Sequence, residues 1–152
     1  MDIQIEEITS QKAGEMSGED IASINQLLGQ LSPGKNWALS KLEVHQVTLY
    51  GFLLVAYSYS GEDRVLVGMT TLLISYKLAS GRFALIEDVV VDQEWRGHGT
   101  GEALMQSAID HARRAGASFI DLSSNPKRVS ANALYQKLGF EIRQSNFYRL
   151  KL

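Results

Sequence analysis

One stretch limits the fold of this chain more than any other. In Val89-Val90-Val91-Asp92-Gln93-Glu94-Trp95-Arg96-Gly97-His98-Gly99-Thr100-Gly101, an apolar strand runs through alternating glycines straight into an amphipathic helix. The helix is read from Leu104, Ala108, Ala112 and Ala115, over about Gly97 to Ala115, with Gly116 at the C′ position. The opening turn of a helix leaves its N–H groups without partners, and the macrodipole adds partial positive charge there. Glycines at alternate positions let a bulky anion reach those amides without meeting a Cβ. Such a turn suits a phosphate or diphosphate. A turn that only reverses the chain explains it poorly, because each glycine inside a helix start costs up to about 1 kcal/mol. The dinucleotide fingerprint G-x-G-x-x-G does not fit the alternating spacing. A P-loop would need Lys-Ser/Thr where Glu102-Ala103 stands.

The flanking sequence predicts the rest of the architecture. Ile3, Ile5 and Ile8 mark a short first strand. Ser17 and Asp20 form an N-cap pair ahead of a helix carrying Ile21, Ile24, Leu27, Leu28 and Leu31, which Ser32-Pro33-Gly34 ends. Ser40 and Glu43 make a second capping pair within Asn36 to Tyr50, read as helical. Phe52 to Ser58, Val65 to Tyr76 and Phe83 to Val91 read as an antiparallel meander, turned at Ser60-Gly61-Glu62-Asp63 and Ala79-Ser80-Gly81. After the glycine turn and its helix, Ser118 to Leu122 is a strand parallel to its predecessor through a right-handed crossover. Asn125-Pro126 offers an N-cap with proline at the first helical position, for a helix ending at Leu138-Gly139. Glu141 to Leu152, with Ile142, Phe147, Tyr148 and Leu150, is expected to close the sheet. The sum is a meander followed by a β-α-β-α-β unit, expected to be one domain over residues 1–152.

Composition narrows the chemistry. The chain has no cysteine, which excludes a disulfide framework, a thiolate nucleophile and thiolate-bound metal together. The formal charge is −2, from 15 basic and 17 acidic residues, so no basic surface for nucleic acid is expected. A single polyanionic ligand is a local matter, and Arg96, His98, Lys127 and Arg128 lie beside the two motifs that carry the chemistry. No signal peptide and no membrane-length apolar run is visible, so a cytoplasmic protein without membrane partners is the expectation. His45, His98 and His111 show no metal-ligand spacing, and no metal is expected. His111 is placed on the polar side of its helix and His98 near phosphate as a loop donor. Trp37 and Trp95 read as packing residues.

The glycine turn resembles the signature of the GNAT N-acetyltransferase superfamily, Arg/Gln-x-x-Gly-x-Gly/Ala, on Arg96, Gly99 and Gly101, with Val89-Val90-Val91 ahead of it. A second segment, Ser124 to Phe140, is similar to the family's ending of Asn or a small residue followed by Leu-Tyr-x-x-Leu-Gly-Phe. The resemblance implies a GNAT fold of α+β type: a central mixed, mostly antiparallel sheet of six to seven strands flanked by about four helices. It implies that the amides of Arg96, Gly97, His98, Gly99, Thr100 and Gly101 hold the acetyl-CoA pyrophosphate. It further implies that the backbone of Val89, Val90 and Val91 pairs with the pantetheine arm, one amide polarising the thioester carbonyl. Such a donor can contribute ~3–4 kcal/mol. By the same resemblance Tyr135 protonates the departing CoA thiolate and Asn132, on the same helix face, contacts the cofactor.

The reaction adds a requirement. An alkylammonium with a pKa near ~10.4 must lose a proton before its nitrogen can attack a thioester. Glu87 and Asp88 stand on the strand leading to the turn. Consecutive strand residues point to opposite faces, so both cannot be buried against one layer without a partner. Glu87, or water it holds, is the expected base, with Asp88 and a water chain as alternatives. Ile86 to Val91 is also similar to the corresponding strand of the glucosamine-6-phosphate acetyltransferases, where an acidic residue at this point faces the amine. The expected partners are acetyl-CoA and an amine, either a small molecule or a protein amine, and a homodimer is compatible with the sequence. Two functions follow: an acetyl-CoA-dependent N-acetyltransferase, or an inactive acyl-CoA-binding sensor of the same fold. Tyr135 and Asn132 favour the first, since a sensor needs the loop but not the tyrosine.

Overall fold

The computed structural model describes residues 2–152. Its elements run β1 (Asp2–Ile8), α1 (Ser10–Glu15), α2 (Gly18–Leu31), α3 (Lys41–Tyr50), β2 (Gly51–Ser60), β3 (Asp63–Lys77), β4 (Gly81–Val91), α4 (Thr100–Arg114), β5 (Ile120–Leu122) and α5 (Val129–Lys137). The strands lie in the order β1-β2-β3-β4-β5, antiparallel from β1 to β4, with β5 parallel to β4. Short turns make sequential strands neighbours, and the α4 crossover returns the chain parallel.

Alternation along β2 divides the core. Leu53, Val55 and Tyr57 face Ile24, Leu27 and Leu28 of α2 and Val44 of α3. Leu54 and Ala56 face Leu104, Met105, Ala108 and Ala112 of α4, with Tyr135 of α5. The sheet is thus covered on both faces, by α1–α3 on one and by α4 and α5 on the other.

Ser17 and Ser40 both close full capping boxes, with Asp20 and Glu43 as expected. Helix starts and short elements depart from the sequence reading. α3 begins at Lys41 rather than near Asn36, because Ser40 caps it. α1, six residues with Ala13 as its buried residue, has too short an apolar pattern to be seen, so the described residues form five α-helices rather than about four. α4 begins at Thr100, since Gly97 and Gly99 adopt left-handed φ of 81° and 82°. α5 begins at Val129, not at Pro126: the Asn125 side chain accepts the Lys127 N–H at 2.9 Å in a separate turn. α5 ends as the sequence indicates. Gly139, with φ 91°, donates to Gln136 O and Phe140 to Tyr135 O, a Schellman closure that also stacks Phe140 edge-on against Tyr135.

The largest departure is at the C-terminal end. Glu141 to Leu152 forms no strand, so among the described residues the sheet has five strands rather than six to seven. β5 pairs with β4 at only three positions and offers too short an edge to template another strand. Ile142, Phe147, Tyr148 and Leu150 accordingly remain 78–84% exposed.

Candidate active site

The site begins at an irregularity in β4. Glu87 pairs with Thr71 and Val90 with Met69, so Asp88 and Val89 together oppose the single residue Thr70. This is a bulge. Asp88 takes a φ of 53°, unusual for a residue with a Cβ but better tolerated by aspartate than by most. The Thr70 hydroxyl donates to the Glu87 carbonyl at 3.0 Å, and the Thr71 hydroxyl donates to the Asp88 carboxylate at 3.3 Å. The extra residue breaks the alternation on which the sequence reading relied. Glu87 and Asp88, expected on opposite faces, line the same cleft.

That cleft has a volume of 190 Å³ and is shared by Glu87, Asp88 and Val89 of β4, Ser123 after β5, and Arg128 and Tyr135. It opens because β5 stops pairing with β4 beyond Ile86↔Leu122, letting the two strands part. A larger hollow of 460 Å³ lies at the start of β2, lined there by Gly51 and Phe52, but its one carboxylate, Glu7, is engaged 3.1 Å from His111. His111, expected on the polar side of its helix, is therefore half-buried against β1 and meets Phe52 edge-on. Trp37 and Trp95 pack against the two core layers as expected.

Burial raises the Glu87 carboxyl above its usual range, and the neighbouring Asp88 charge raises it further, against an opposing pull from Arg149. Asp88 is raised by burial and partly relieved by the Thr71 hydroxyl. Tyr135 is 5% exposed, and burial raises its phenol while Arg128 counters that rise. The cleft thus gathers two carboxyls that take up a proton more readily than usual, and one phenol.

The glycine turn lies at the end of the same strand. A Cβ at Gly97 or Gly99 would meet nothing within 4 Å, so their backbone shape, not crowding, calls for glycine, and space outside the turn is open. Gly101 sits where α4 closes on its neighbours, since a Cβ there would lie 3.4 Å from Leu134. Thr100 is 2% exposed and its hydroxyl has no protein partner, an orphaned donor at the opening turn of α4. Bare amides, open space and a spare hydroxyl together fit a diphosphate. His98 stands exposed on the turn. Arg96 braces the turn: its Nε donates to Val91 O at 3.0 Å and its Nη2 to Gln30 Oε1 at 3.3 Å.

Two further side chains brace the walls of the site. Asn132 donates its amide to Asn125 O at 3.0 Å and Pro126 O at 3.4 Å, tying the turn before α5. Arg128, noted in the sequence only as a base beside a motif, donates from Nη2 to Val89 O at 2.8 Å. The carbonyls of Val89 and Val91 on the open edge of β4 are thus each held by a guanidinium. Nothing local signals the Arg128 bond, because 39 residues separate Arg128 from Val89. Among the described residues, no group of three or more His, Asp or Glu side chains is placed to hold a metal.

The arrangement can hold a phosphorylated carrier at the turn and bring its far end beside two carboxyls and a phenol, the needs of an acyl transferase. The chain belongs to the Acetyltransferase (GNAT) family, which matches residues 27–140. Members of that family use acetyl-CoA. A curated relative from Trypanosoma brucei brucei, a glucosamine 6-phosphate N-acetyltransferase, is 32% identical over 127 residues, spanning 80% of this chain and 82% of the relative. The crystal structure of a Trypanosoma brucei acetyltransferase superposes with a TM-score of 0.73 at 26% identity, covering 99% of this chain and all of the other. The same fold, at 18% identity and a TM-score of 0.73 over 100% of both chains, is found in AAC(6′)-Iy bound to the bisubstrate analogue CoA-S-monomethyl-acetylneamine.

Proposed function

We propose that this chain moves the acetyl group of acetyl-CoA to a primary amine. The observation that carries the reading is continuity: one strand joins the left-handed glycine turn, with its buried unpartnered Thr100 hydroxyl, to the bulge where Glu87 and Asp88 share a cleft with Tyr135. In this reading the amides of Arg96 to Gly101 hold the diphosphate, and the backbone of Val89 to Val91 carries the pantetheine arm. Asn132 contacts the cofactor from the turn it ties. Glu87, or water bound to it, takes one ammonium proton and passes it to solvent. The amine nitrogen bonds to the carbonyl carbon, the C–S bond breaks, and Tyr135 gives its proton to the sulfur. The proton lost as the amide forms restores the phenol. A raised carboxyl suits Glu87, because a base works best with a pKa near the operating pH.

The test is thiol release from acetyl-CoA against a panel of amines, with CoA binding followed by calorimetry. Glucosamine 6-phosphate heads the panel because the Trypanosoma relative is named for it. Turnover with any amine, matched by an equal amount of amide, supports transfer. CoA binding with no turnover across the panel points to the sensor instead, and no CoA uptake removes both.

A further inference from the structure

We propose that Arg128 is a positioning residue that couples the β4 bulge to Tyr135, pinning the Val89 carbonyl and holding a positive charge beside the phenol where the sulfur anion is discharged. The inference rests on the acetyl-transfer reading and adds a residue to it. Arg128 stands immediately before α5, where it serves as the cap residue without a side-chain cap bond. Seven residues, about two helical turns, separate it from Tyr135, so both side chains lie along one face. Both line the cleft with Glu87 and Asp88.

The guanidinium is half-buried, yet among the described residues Arg128 makes no ion pair. A carbonyl dipole compensates a partly desolvated cation less completely than a carboxylate does. Glu87 and Asp88 line the same cleft without pairing with the guanidinium, so part of its charge stays uncancelled on the side where Tyr135 stands, available to a phenolate formed there. The bond to Val89 O has a second effect. In the same peptide unit the Val90 nitrogen faces β3, where Val90 pairs with Met69. Arg128 thus holds from outside a peptide unit that β3 holds from inside, directly after the bulge.

During transfer the C–S bond breaks and its electron pair passes to sulfur, while the Tyr135 O–H supplies the proton. Arg128 exchanges no proton. It stabilises the phenolate left in that exchange, and so counters the burial that otherwise makes Tyr135 a weak acid.

The experiment is a pH titration by fluorine NMR of protein labelled with 3-fluorotyrosine, with Tyr135→Phe assigning the resonance. Arg128→Gln should weaken the Tyr135 acid constant about tenfold, and Arg128→Lys, which keeps the charge but not the fork, should fall between. In thiol release with glucosamine 6-phosphate or the best amine of the panel, Arg128→Gln should lower kcat about tenfold with KM for acetyl-CoA within about threefold. In a Tyr135→Phe background the same change should cost less than about twofold. Identical Tyr135 titration in wild type and both variants, with melting curves showing them folded, overturns the proposal. So does a full tenfold loss in the Tyr135→Phe background. If Arg128→Gln does not fold, Arg128→Lys decides: an unchanged Tyr135 titration together with unchanged kcat overturns the proposal. The titration needs no substrate, so failure of CoA binding would sink the transfer reading without touching this result.

Discussion

Glu87 on the strand wall and Tyr135 on the helix wall are both moved toward holding their protons, and burial is the leading cause for each. In the proposed transfer this suits a base at Glu87 and handicaps an acid at Tyr135, which a nearby cation must offset. Tyr135→Phe should lower turnover at least about tenfold while leaving the calorimetric affinity for CoA nearly unchanged. Equal turnover would remove Tyr135 from the mechanism. Glu87 must be ionised to accept a proton, so activity should rise with pH along a limb lying above the ordinary carboxylate range. Glu87→Gln should abolish that limb, and its survival would transfer the role to Asp88 or to water. Asp88 permits a stability test. Its raised carboxyl means that the folded chain binds this proton more tightly than the unfolded chain, so stability falls as pH rises through the shifted value. Asp88→Asn should therefore raise the melting temperature at neutral pH and leave it unchanged near pH 3, with asparagine also tolerating the positive φ. A lower melting temperature at neutral pH would show that the Thr71 bond outweighs burial.

At the scale of elements, the glycine turn and α4 work as one unit. Gly97 and Gly99 hold the left-handed angles that turn the chain, and Thr100 starts the helix beneath them. Gly99→Asp should abolish CoA binding, through like-charge repulsion at the diphosphate and strain at φ 82°. Gly99→Ala, carrying the strain alone, should cost about 1–2 kcal/mol of stability and keep measurable CoA uptake. Tight CoA binding by the aspartate variant would contradict the cradle. The elements themselves were largely legible. Ser17 with Asp20 and Ser40 with Glu43 marked two helix starts, and Gly116 and Gly139 marked two ends, because a cap involves only residues within one turn. Starts were misjudged where a local alternative was available. Asn125 closes its own turn ahead of α5, and the left-handed glycines delay α4.

Across the whole molecule, two apolar layers sandwich the sheet, and α4 anchors the second. Leu104 is fully buried between the sheet and the helix that carries the turn. Leu104→Ala should cost about 2–5 kcal/mol, read as a fall in melting temperature. A loss below about 1 kcal/mol would mean that the layer collapses to fill the gap. The meander, the parallel crossover and the family all follow from alternation, helical spacing and two motifs, each set by residues close together in the chain. The β4 bulge, the cleft that unites Glu87 with Asp88, and the bond from Arg128 to Val89 needed the tertiary structure. So did the fate of Glu141 to Leu152, whose apolar residues read as a strand but find no edge long enough to join. The division has a physical cause. Caps, turns and periodicity are energies of near neighbours and can be read along the chain, whereas register and strand edges depend on which distant segments meet.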